Sequence, residues 1–292
     1  MSIAERSFTE HRDLLFTVAY EMLGSASEAE DAVQESWLRW TSVDHAAIRD
    51  HRAYLVRIAT RLSLNRLRTL RRRRETYVGP WLPEPLATAP DVADDMELAE
   101  SVSVAMLVVL ETLVPAERAV FLLHDVFGLG YDEIAAALDR SSAAVRQIAH
   151  RARKHVRARR PHGPVAQEDH AAVSERFFEA AAGGDLQGLM DVLAPGVVLL
   201  SDGGGVAQAA RRPIVGADKV LRFLQGVRPD PAGLETVLGW VNGRRALLVY
   251  MDGSLDAVVS GHVENGQVSE VYIMRNPGKL AALHRSAARL VR

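Results

Sequence analysis

The stretch that most restricts the fold of this chain is 113–160, whose apolar spacing and turn residues predict three consecutive helices. Pro115 suits a first helical turn, and Gly128 ends the first helix. After a short second helix and a tight connection, Ser142 is expected to cap the third helix. The third helix has an apolar stripe at helical spacing that consists of Val145, Ala149, Ala152 and Val156. The pattern predicts a helix-turn-helix.

The opposite face of the third predicted helix is basic. Arg and Gln side chains can read base edges in the major groove, whereas phosphates require only positive charge. A solvated basic helix end is the alternative, because it also complements the helix dipole. The position on the third helix of a three-helix unit favours DNA. The candidate DNA-binding residues here are Ser142, Arg146, Gln147, His150, Arg151 and Lys154.

Length and composition limit the remaining possibilities. A chain of 292 residues predicts two or three domains. Cysteine is absent, which excludes disulfides and thiolate metal sites, and we expect no metal and no cofactor. The first residues have no signal-peptide core and no stretch reaches membrane-spanning length, so we expect a cytoplasmic protein that does not bind membranes. The net charge of -2 conceals a concentration of arginine in two helices.

Residues 28–40, EAEDAVQESWLRW, predict an N-terminal helix, with Ser27 and Glu30 at the spacing of a capping box. One face of this helix places a leucine among acidic and polar groups, which is typical of a docking site for a partner. An ordinary surface helix with one stray leucine is the alternative. The face consists of Asp31, Gln34, Glu35 and Leu38.

Residues 51–74 predict a second basic helix, with nine arginines and no acid. Such a helix repels itself unless anions neutralise it, and nucleic acid is favoured over a solvated face because another basic helix follows downstream. The candidates for DNA contact are Arg57, Arg61, Asn65 and Arg66. Four prolines between 75 and 90 then predict an extended linker. Trp81 and Leu82 in that linker indicate that it docks on a domain or a partner.

The sequences EAEDAVQESWLRW and RAYLVRIATRLSLNRLR resemble region 2 of bacterial sigma-70-type factors. The helix-turn-helix stretch, with AERAVFLLHDVFGLGYDEIAAAL, resembles their region 4. Without a region 3, the order resembles the extracytoplasmic-function (ECF) group. The resemblance implies that the leucine-centred face docks on core RNA polymerase, that 41–74 opens and reads the minus-10 element, and that the helix from Ser142 reads the minus-35 element. The expected domains are region 2 at 1–75, a linker at 76–93 and region 4 at 94–160.

The chain after 168 has a mixed pattern that predicts an α+β cone with a cavity. Helices are expected at 170–182, 185–193 and 216–225, and a first strand at 196–200. Four strand-like runs against these helices suggest a curved antiparallel sheet, followed by a helix over Pro277 to Leu290. The turns between the runs carry tight-hairpin dipeptides, namely Asn242-Gly243, Asp252-Gly253 and Asn265-Gly266.

This second half, 168–292, resembles the SnoaL-like branch of the nuclear-transport-factor-like cones, and the complete order resembles a sigma-J-like ECF subgroup. Three motifs carry the closer likeness: WLPEP from Trp81, DGGG from Asp202, and NPGKL from Asn276. Val206 replaces the subgroup's lysine, and Gly278 its usual acid. The resemblance implies that the motifs make regulatory interdomain contacts through Trp81, Leu82, Pro83, Asp202, Gly203, Gly204, Asn276, Pro277 and Lys279.

An enzymatic cone would need a general acid or base in its pocket. The candidates are Asp202, Trp240, Tyr250, His262 and Tyr272, but a turn role for Asp202 and core packing for the aromatics explain these residues better. We therefore expect no enzyme, but a sigma factor whose C-terminal domain regulates it and is a candidate site for a small-molecule ligand. The alternatives are a ligand-sensing one-component DNA-binding regulator, and a cyclase or isomerase with a DNA-binding arm.

Overall fold

A computed structural model describes residues 2–94, 96–159, 167–227, 232–281 and 283. Backbone contacts divide them into two compact units. The helical unit contains residues up to 75 and those from 106 to 159, and the cone unit contains those from 76 to 105 and from 167 to 283. This division corrects the expected one in the middle of the chain. Residues 76–93 are not a free linker and 94–105 do not group with the helix-turn-helix, because both pack on the C-terminal sheet.

The helical unit begins with three helices that pack around buried apolar side chains such as Leu15, Val33 and Trp40. They are α1 (Ile3–Leu23), α2 (Ala26–Trp40) and α3 (His51–Arg74). The predicted capping box of α2 is wrong: Ser25 caps the helix by accepting from the Glu28 amide at 3.2 Å. Ser27 lies inside the first turn, since the chain leaves α1 at Gly24 with a positive φ of 64° and only Ser25 is extended.

The remainder of the helical unit is the predicted helix-turn-helix. It contains α6 (Val104–Glu111, from residue 106 onward), α7 (Pro115–Phe121), a π-helical turn (Leu122–Val126), α8 (Tyr131–Leu138) and α9 (Ser142–Arg159). Asp139 ends α8 in the left-handed region with φ 58°. Ser141 caps α9 by accepting from the Ala144 amide at 3.2 Å, whereas Ser142, the expected cap, donates to Asp132.

The cone unit is a six-stranded sheet in the order β2-β1-β6-β5-β4-β3 with helices packed on it. The strands are β1 (Leu193–Asp202), β2 (Ile214–Val215), β3 (Leu234–Val241), β4 (Arg244–Met251), β5 (Ser254–Glu264) and β6 (Gln267–Met274). The helices are α10 (Gln167–Gly183), α11 (Leu186–Val192), α12 (Ala217–Gly226) and α13 (Pro277–Leu280). Phe177 and Phe178 of α10 are fully buried in the core between these layers.

The hairpin turns are confirmed at Asn242, Asp252 and Asn265, which all have positive φ and precede a glycine of positive φ. The sheet is mixed rather than antiparallel as expected, because β1 pairs in parallel with β6, with Leu199 opposite Val271. The last predicted helix is described only over α13, and its continuation to Leu290 lies outside the described residues apart from Ala281 and Leu283. No described helix is both long enough and apolar enough to cross a bilayer.

The segment that was expected to be a linker forms α4 (Pro90–Asp94) and α5 (Met96–Val102) after an irregular stretch. Ala87 makes an isolated antiparallel bridge with Val241 at the end of β3. Leu82, Leu86 and Val102 are buried. The prediction that Trp81 and Leu82 would make this segment dock is therefore borne out in outline, and the surface that receives it is the cone's own.

Candidate functional sites

The basic face of α9 is open to solvent. Val145, Ala149 and Ala152 are buried in the helical unit, and the opposite side exposes Arg146, Gln147, His150, Arg151 and Lys154. The Arg146 guanidinium lies 5.6 Å from the centre of the Tyr131 ring, which keeps it on this face. The structure therefore brings together five of the six candidates on this helix, while the Ser142 hydroxyl donates a hydrogen bond to Asp132.

Acidic side chains of α7 and of the π-helical turn form ion pairs with residues along one edge of α9. Glu117 is buried and pairs with Arg151 at 3.4 Å and with His155 at 3.0 Å. Asp125 pairs with Arg153 at 2.6 Å, and that hydrogen bond raises the pKa of Arg153. Arg151 therefore has a structural partner, whereas Arg146, Gln147 and Lys154 present their polar ends to solvent.

The basic face of α3 is different, because its candidates already contact protein groups. Arg61 donates to the carbonyl oxygens of Ala137 at 2.7 Å and Ala136 at 3.3 Å, at the end of α8. Arg57 lies 4.6 Å from the centre of the Tyr54 ring. Asn65 is exposed and accepts a hydrogen bond from Arg68. Asn65 is therefore exposed to solvent, like Arg146 and Gln147 of α9, and its hydrogen bond with Arg68 lies within α3.

Arg66, the fourth candidate on α3, faces α2 instead of solvent. Its guanidinium reaches Glu28 at 3.1 Å, Glu35 at 3.3 Å and Asp31 at 3.4 Å. Burial alone would lower the pKa of Arg66, but hydrogen bonds to these carboxylates outweigh it and raise the pKa. Arg66 thus belongs to the acidic face of α2. On that face Leu38 is 67% exposed, as the sequence predicted for a docking anchor.

The three sequence motifs converge inside the cone unit, in a group of side chains that we name the motif cluster. It consists of Tyr77, Trp81, Leu82, Asp202, Asn276 and Lys279. Its centre is the Asp202 carboxylate, which is fully buried. The carboxylate accepts from Tyr77 Oη at 2.6 Å, from Lys279 Nζ at 2.7 Å and from the Leu82 amide at 2.9 Å. A buried carboxylate needs such donors, because an unpaired buried charge is strongly unfavourable.

The other contacts of the motif cluster complete a closed network. Lys279 Nζ also donates to the Leu82 carbonyl at 2.5 Å and lies 4.1 Å from the centre of the Trp81 ring. Asn276 donates to Tyr77 Oη at 2.7 Å. Burial, and after it the hydrogen bond to Asp202, raises the pKa of Tyr77. Tyr77 is the member that the sequence analysis missed, although it lies only four residues before the WLPEP motif.

The glycines of DGGG are required by close packing around the cluster. A Cβ on Gly203 would lie 2.2 Å from the Ala207 carbonyl oxygen. Gly204 has a φ of +64°, and a Cβ there would lie 2.4 Å from Asn276 Nδ2. Pro83 is buried in the docked segment, while Pro277 is exposed in the first turn of α13. Val206, which replaces the subgroup's lysine, is 80% exposed.

A second set of contacts fixes the same segment at the β3–β4 turn. Asn242 exchanges hydrogen bonds with the backbone of Leu86, at 2.9 and 3.1 Å, and donates to the Val102 carbonyl at 2.9 Å. Thr88 accepts from the Gly243 amide at 3.1 Å. Arg244 pairs with Glu100 at 2.8 Å. Residues 77–102 are therefore held at two places on the cone.

The interior of the cone contains a cavity of about 390 Å³. None of Asp202, Trp240, Tyr250, His262 and Tyr272, the candidates for acid or base catalysis, lines it. Among the residues that the structure describes, no group of His, Cys, Asp or Glu side chains converges in a way that would hold a metal ion.

Comparison with known proteins shows the family to which this chain belongs. The sigma-70 region 2 family matches residues 8–73, and the sigma-70 region 4 family matches residues 103–156. Over 96% of this chain and 93% of the relative, the sequence is 39% identical to the ECF RNA polymerase sigma factor SigJ of Mycobacterium tuberculosis. The chain belongs to the ECF sigma factors.

Two further likenesses agree with this assignment. The probable ECF sigma factor SigI of Mycobacterium tuberculosis is 33% identical over 94% of this chain and 93% of its own length. The crystal structure of the Mycobacterium tuberculosis ECF sigma factor SigJ superposes with a TM-score of 0.77 at 36% identity, covering 97% of this chain and 99% of that one. This ECF sigma factor therefore acts in transcription initiation, with core RNA polymerase and promoter DNA as its partners, and is not an enzyme.

Regions 2 and 4 of this sigma factor pack directly against each other in the helical unit. Arg118 of α7 is 1% exposed and donates twice to the Glu21 carbonyl of α1, at 2.8 and 3.0 Å. Glu111 of α6 forms ion pairs with both Arg118 and Arg74. Burial lowers the pKa of Arg118 to about 9, so the charged form depends on such polar partners. The sequence signal for this contact was an arginine within the apolar run of α7.

Proposed function

We propose that the cone unit regulates this sigma factor by holding the segment that joins regions 2 and 4. The observation that carries the proposal is the buried Asp202 carboxylate, which binds Tyr77 and the Leu82 amide from that segment and Lys279 from the C-terminal motif. A domain fused to the same chain acts at a high effective concentration, so contacts of modest strength are enough to shift a conformational equilibrium.

The packed arrangement of regions 2 and 4 is, in this proposal, the resting form. Promoter elements at minus 10 and minus 35 lie apart on the polymerase, so the two regions must separate to reach them. Arg61 supports this view, because two nitrogens of its guanidinium bond to region 4 carbonyl oxygens and are not free for phosphates while the regions are packed. We propose that α9 reads the minus-35 element through Arg146 and Gln147, and that α3 serves the minus-10 element through Arg57, Arg61 and Asn65.

Truncation tests the regulatory role. Ending the chain just before Asn276 removes Asn276 and Lys279 from the motif cluster, and we expect higher transcription in a reconstituted run-off assay. The family resemblance implies two opposed roles for the cone, with the DGGG segment supporting the active form and the NPGKL end restraining it. Ending the chain at Arg160 removes both and exposes Leu82, so we expect lower transcription. Equal amounts of folded protein are compared. Full-length activity from both truncations would contradict a built-in regulator.

A point variant in the full chain separates the cluster from the rest of the cone. Lys279→Met removes the donor to Asp202 and keeps the apolar stem beside Trp81, so transcription should rise in the same direction as on truncation before Asn276. The matched control is Lys219→Met, at an exposed position of α12. If both variants transcribe equally, the cluster does not restrain the protein.

We further propose that the acidic face of α2 docks on core polymerase, with the exposed Leu38 as its anchor. Leu38→Asp should weaken binding to the core enzyme by about 2 kcal/mol or more, as expected for an apolar anchor ringed by polar groups. Ile3→Asp is the control, since Ile3 is also a large exposed apolar side chain and lies on the neighbouring helix α1. Measured by titration of labelled sigma factor with core enzyme, unchanged affinity of Leu38→Asp would exclude this face. We expect the protein to act in the cytoplasm, where polymerase and chromosome are found.

The cavity favours a second role, which is compatible with the first. The cone holds a small-molecule ligand, and binding of that ligand controls its regulatory effect. The cavity volume of about 390 Å³ lies within the usual range of ligand pockets. The test is whether the folded full chain takes up a small molecule with saturation.

A further inference from the structure

We propose that Tyr131 is a positioning residue for base recognition. Its ring, which packs on His124, holds the Arg146 guanidinium in the orientation in which Arg146 meets a base edge of the minus-35 element. This inference deepens the proposed reading role of α9 and rests on it. Its basis is a stack of three side chains from the π-helical turn, α8 and α9.

The base of this stack is fixed by hydrogen bonds to the backbone. His124 Nδ1 donates to the carbonyl of the buried Leu129 at 2.8 Å. Tyr131 is the first residue of α8, whose N-terminal turn is closed by a hydrogen bond from the Gly130 amide to Glu133 at 2.7 Å. The rings of His124 and Tyr131 stack with their centres 4.1 Å apart and their planes at 28°. The Tyr131 ring therefore cannot turn away without losing its contact with His124.

Arg146 contacts this ring without using a hydrogen-bond donor. Its guanidinium carbon lies 5.6 Å from the centre of the Tyr131 ring, within the range of a cation–π contact. Such a contact restricts the rotamers of the arginine, while the N–H groups in the guanidinium plane stay available for acceptors. Arg61 on α3 differs, because two of its nitrogens donate to backbone carbonyl oxygens. The ring thus holds Arg146 in place and leaves its bidentate edge to the O6 and N7 atoms of a guanine.

The hydroxyl of Tyr131 has a different partner, so the two parts of this side chain can be tested separately. Arg153 donates from Nη1 to Tyr131 Oη at 3.4 Å and from Nε to Asp125 at 2.6 Å. Arg146 and Arg153 lie about two turns apart on one side of α9. Removal of the hydroxyl alone leaves the ring beside Arg146, whereas replacement by an aliphatic side chain removes both.

The test measures base discrimination by the purified full chain. The chain first selects a duplex from a pool with randomised positions. Fluorescence anisotropy at one salt concentration then gives the ratio of its affinity for this duplex to its affinity for random DNA. Tyr131→Leu should lower this ratio by about two- to fivefold, as expected for an exposed cation–π contact. Tyr131→Phe keeps the ring and should retain the ratio. Equal losses from the two variants would show that the hydroxyl acts rather than the ring, and would overturn the proposal.

A double-mutant cycle gives a readout that a merely structural role would not change. Arg146→Ala should lower the ratio by itself, and Tyr131→Leu should then cause no further loss. A further loss of the same size in the Arg146→Ala chain would mean that Tyr131 supports the helical unit in general, which would refute the inference. Trp240→Leu is the matched control. The Trp240 ring lies 5.2 Å from the Arg245 guanidinium in the cone unit, so its removal should leave the ratio unchanged.

The same series separates this inference from the reading role on which it rests. If Arg146→Ala lowers the ratio and Tyr131→Leu does not, Arg146 reads DNA without Tyr131, and only the inference fails. If Arg146→Ala retains the ratio, the reading role assigned to Arg146 fails, and the inference fails with it. The assay contains no polymerase, so neither result bears on the regulatory role of the motif cluster. Tyr131→Met replaces Tyr131→Leu if the latter chain gives no cooperative thermal transition.

Discussion

The two basic helices, α3 and α9, look alike in the sequence and differ in the folded protein. Both carry arginines without an acid of their own. On α3, Arg61 bonds to carbonyl oxygens of region 4, Arg66 to three carboxylates of α2, and Arg74 to Glu111. On α9, Arg146 and Gln147 are exposed at the proposed DNA-reading face. These three arginines of α3 are thus already bound to protein groups, whereas Arg146 of α9 is available, although Arg151 and Arg153 of that helix pair with carboxylates.

The difference shows that the number of arginines in a helix does not by itself determine how well that helix can bind DNA. A cation bound to a protein group must give up that group before it binds a phosphate, and the energy of the original bond is then lost. We therefore infer that binding of α9 to DNA is nearly independent of the packing of regions 2 and 4, whereas binding of α3 is coupled to it.

The largest expected effect tests whether the arginines at the contact between α3 and region 4 stabilise the folded protein. Glu111→Gln removes the carboxylate shared by Arg74 and Arg118, both mostly buried, and leaves both cations without this counter-charge. We expect the free energy of unfolding of the full chain to fall by about 3–5 kcal/mol, measured by urea denaturation.

The matched change at α9 is Asp125→Asn, which removes the partner of the more exposed Arg153. We expect a loss of about 1 kcal/mol or less. Equal losses from the two variants would mean that the pairs at the two helices are equivalent, and the comparison would fail.

The next prediction tests which residues of the α9 face contact bases and which contact phosphates. Arg146→Ala or Gln147→Ala should weaken binding to minus-35 DNA more than to random DNA, by about 1–3 kcal/mol for each bidentate base contact. Lys154→Ala or Arg157→Ala should weaken both alike and reduce the slope of log affinity against log salt by about one unit. Fluorescence anisotropy over a salt series measures both quantities.

Two results of that titration would count against the proposed reading face. The first is an equal loss on both DNAs from all four variants. The second is a preference for minus-35 DNA that survives loss of both Arg146 and Gln147.

The smallest expected effect concerns Arg61. Arg61→Ala removes two hydrogen bonds to Ala136 and Ala137 and should lower the free energy of unfolding by about 0.5–1.5 kcal/mol. Arg68→Ala is the control, because Arg68 is exposed and bonds to Asn65 of its own helix. Should the control lose as much stability as Arg61→Ala, the contact with region 4 would contribute nothing measurable.

Local signals predicted the local structure well. The helix-turn-helix followed from the apolar stripe of α9, and three hairpin turns followed from Asn-Gly and Asp-Gly dipeptides. Helix starts were predicted less accurately, because neighbouring serines compete for the cap position. Ser25 and Ser141 act where Ser27 and Ser142 were expected, since the left-handed residues Gly24 and Asp139 set where the chain becomes extended.

Features that depend on distant parts of the chain were not predictable from the sequence. The parallel pairing of β1 with β6 joins strands far apart in sequence. The burial of Arg118 depends on the Glu21 carbonyl, which no residue pattern reveals. For the three motifs of the motif cluster, the sequence indicated the residues through family resemblance, but not the role of Asp202 as the shared acceptor.

The irregular stretch 77–89 has a property that is unusual for chain outside helices and regular strands. The amides of Leu82, Leu86 and Thr88 donate to Asp202, Asn242 and the Trp240 carbonyl, and the first two of these bonds are buried. Such amides exchange with solvent deuterium only when the segment detaches. Their exchange rates therefore report how often the cone releases the segment, in the free sigma factor and on the polymerase alike.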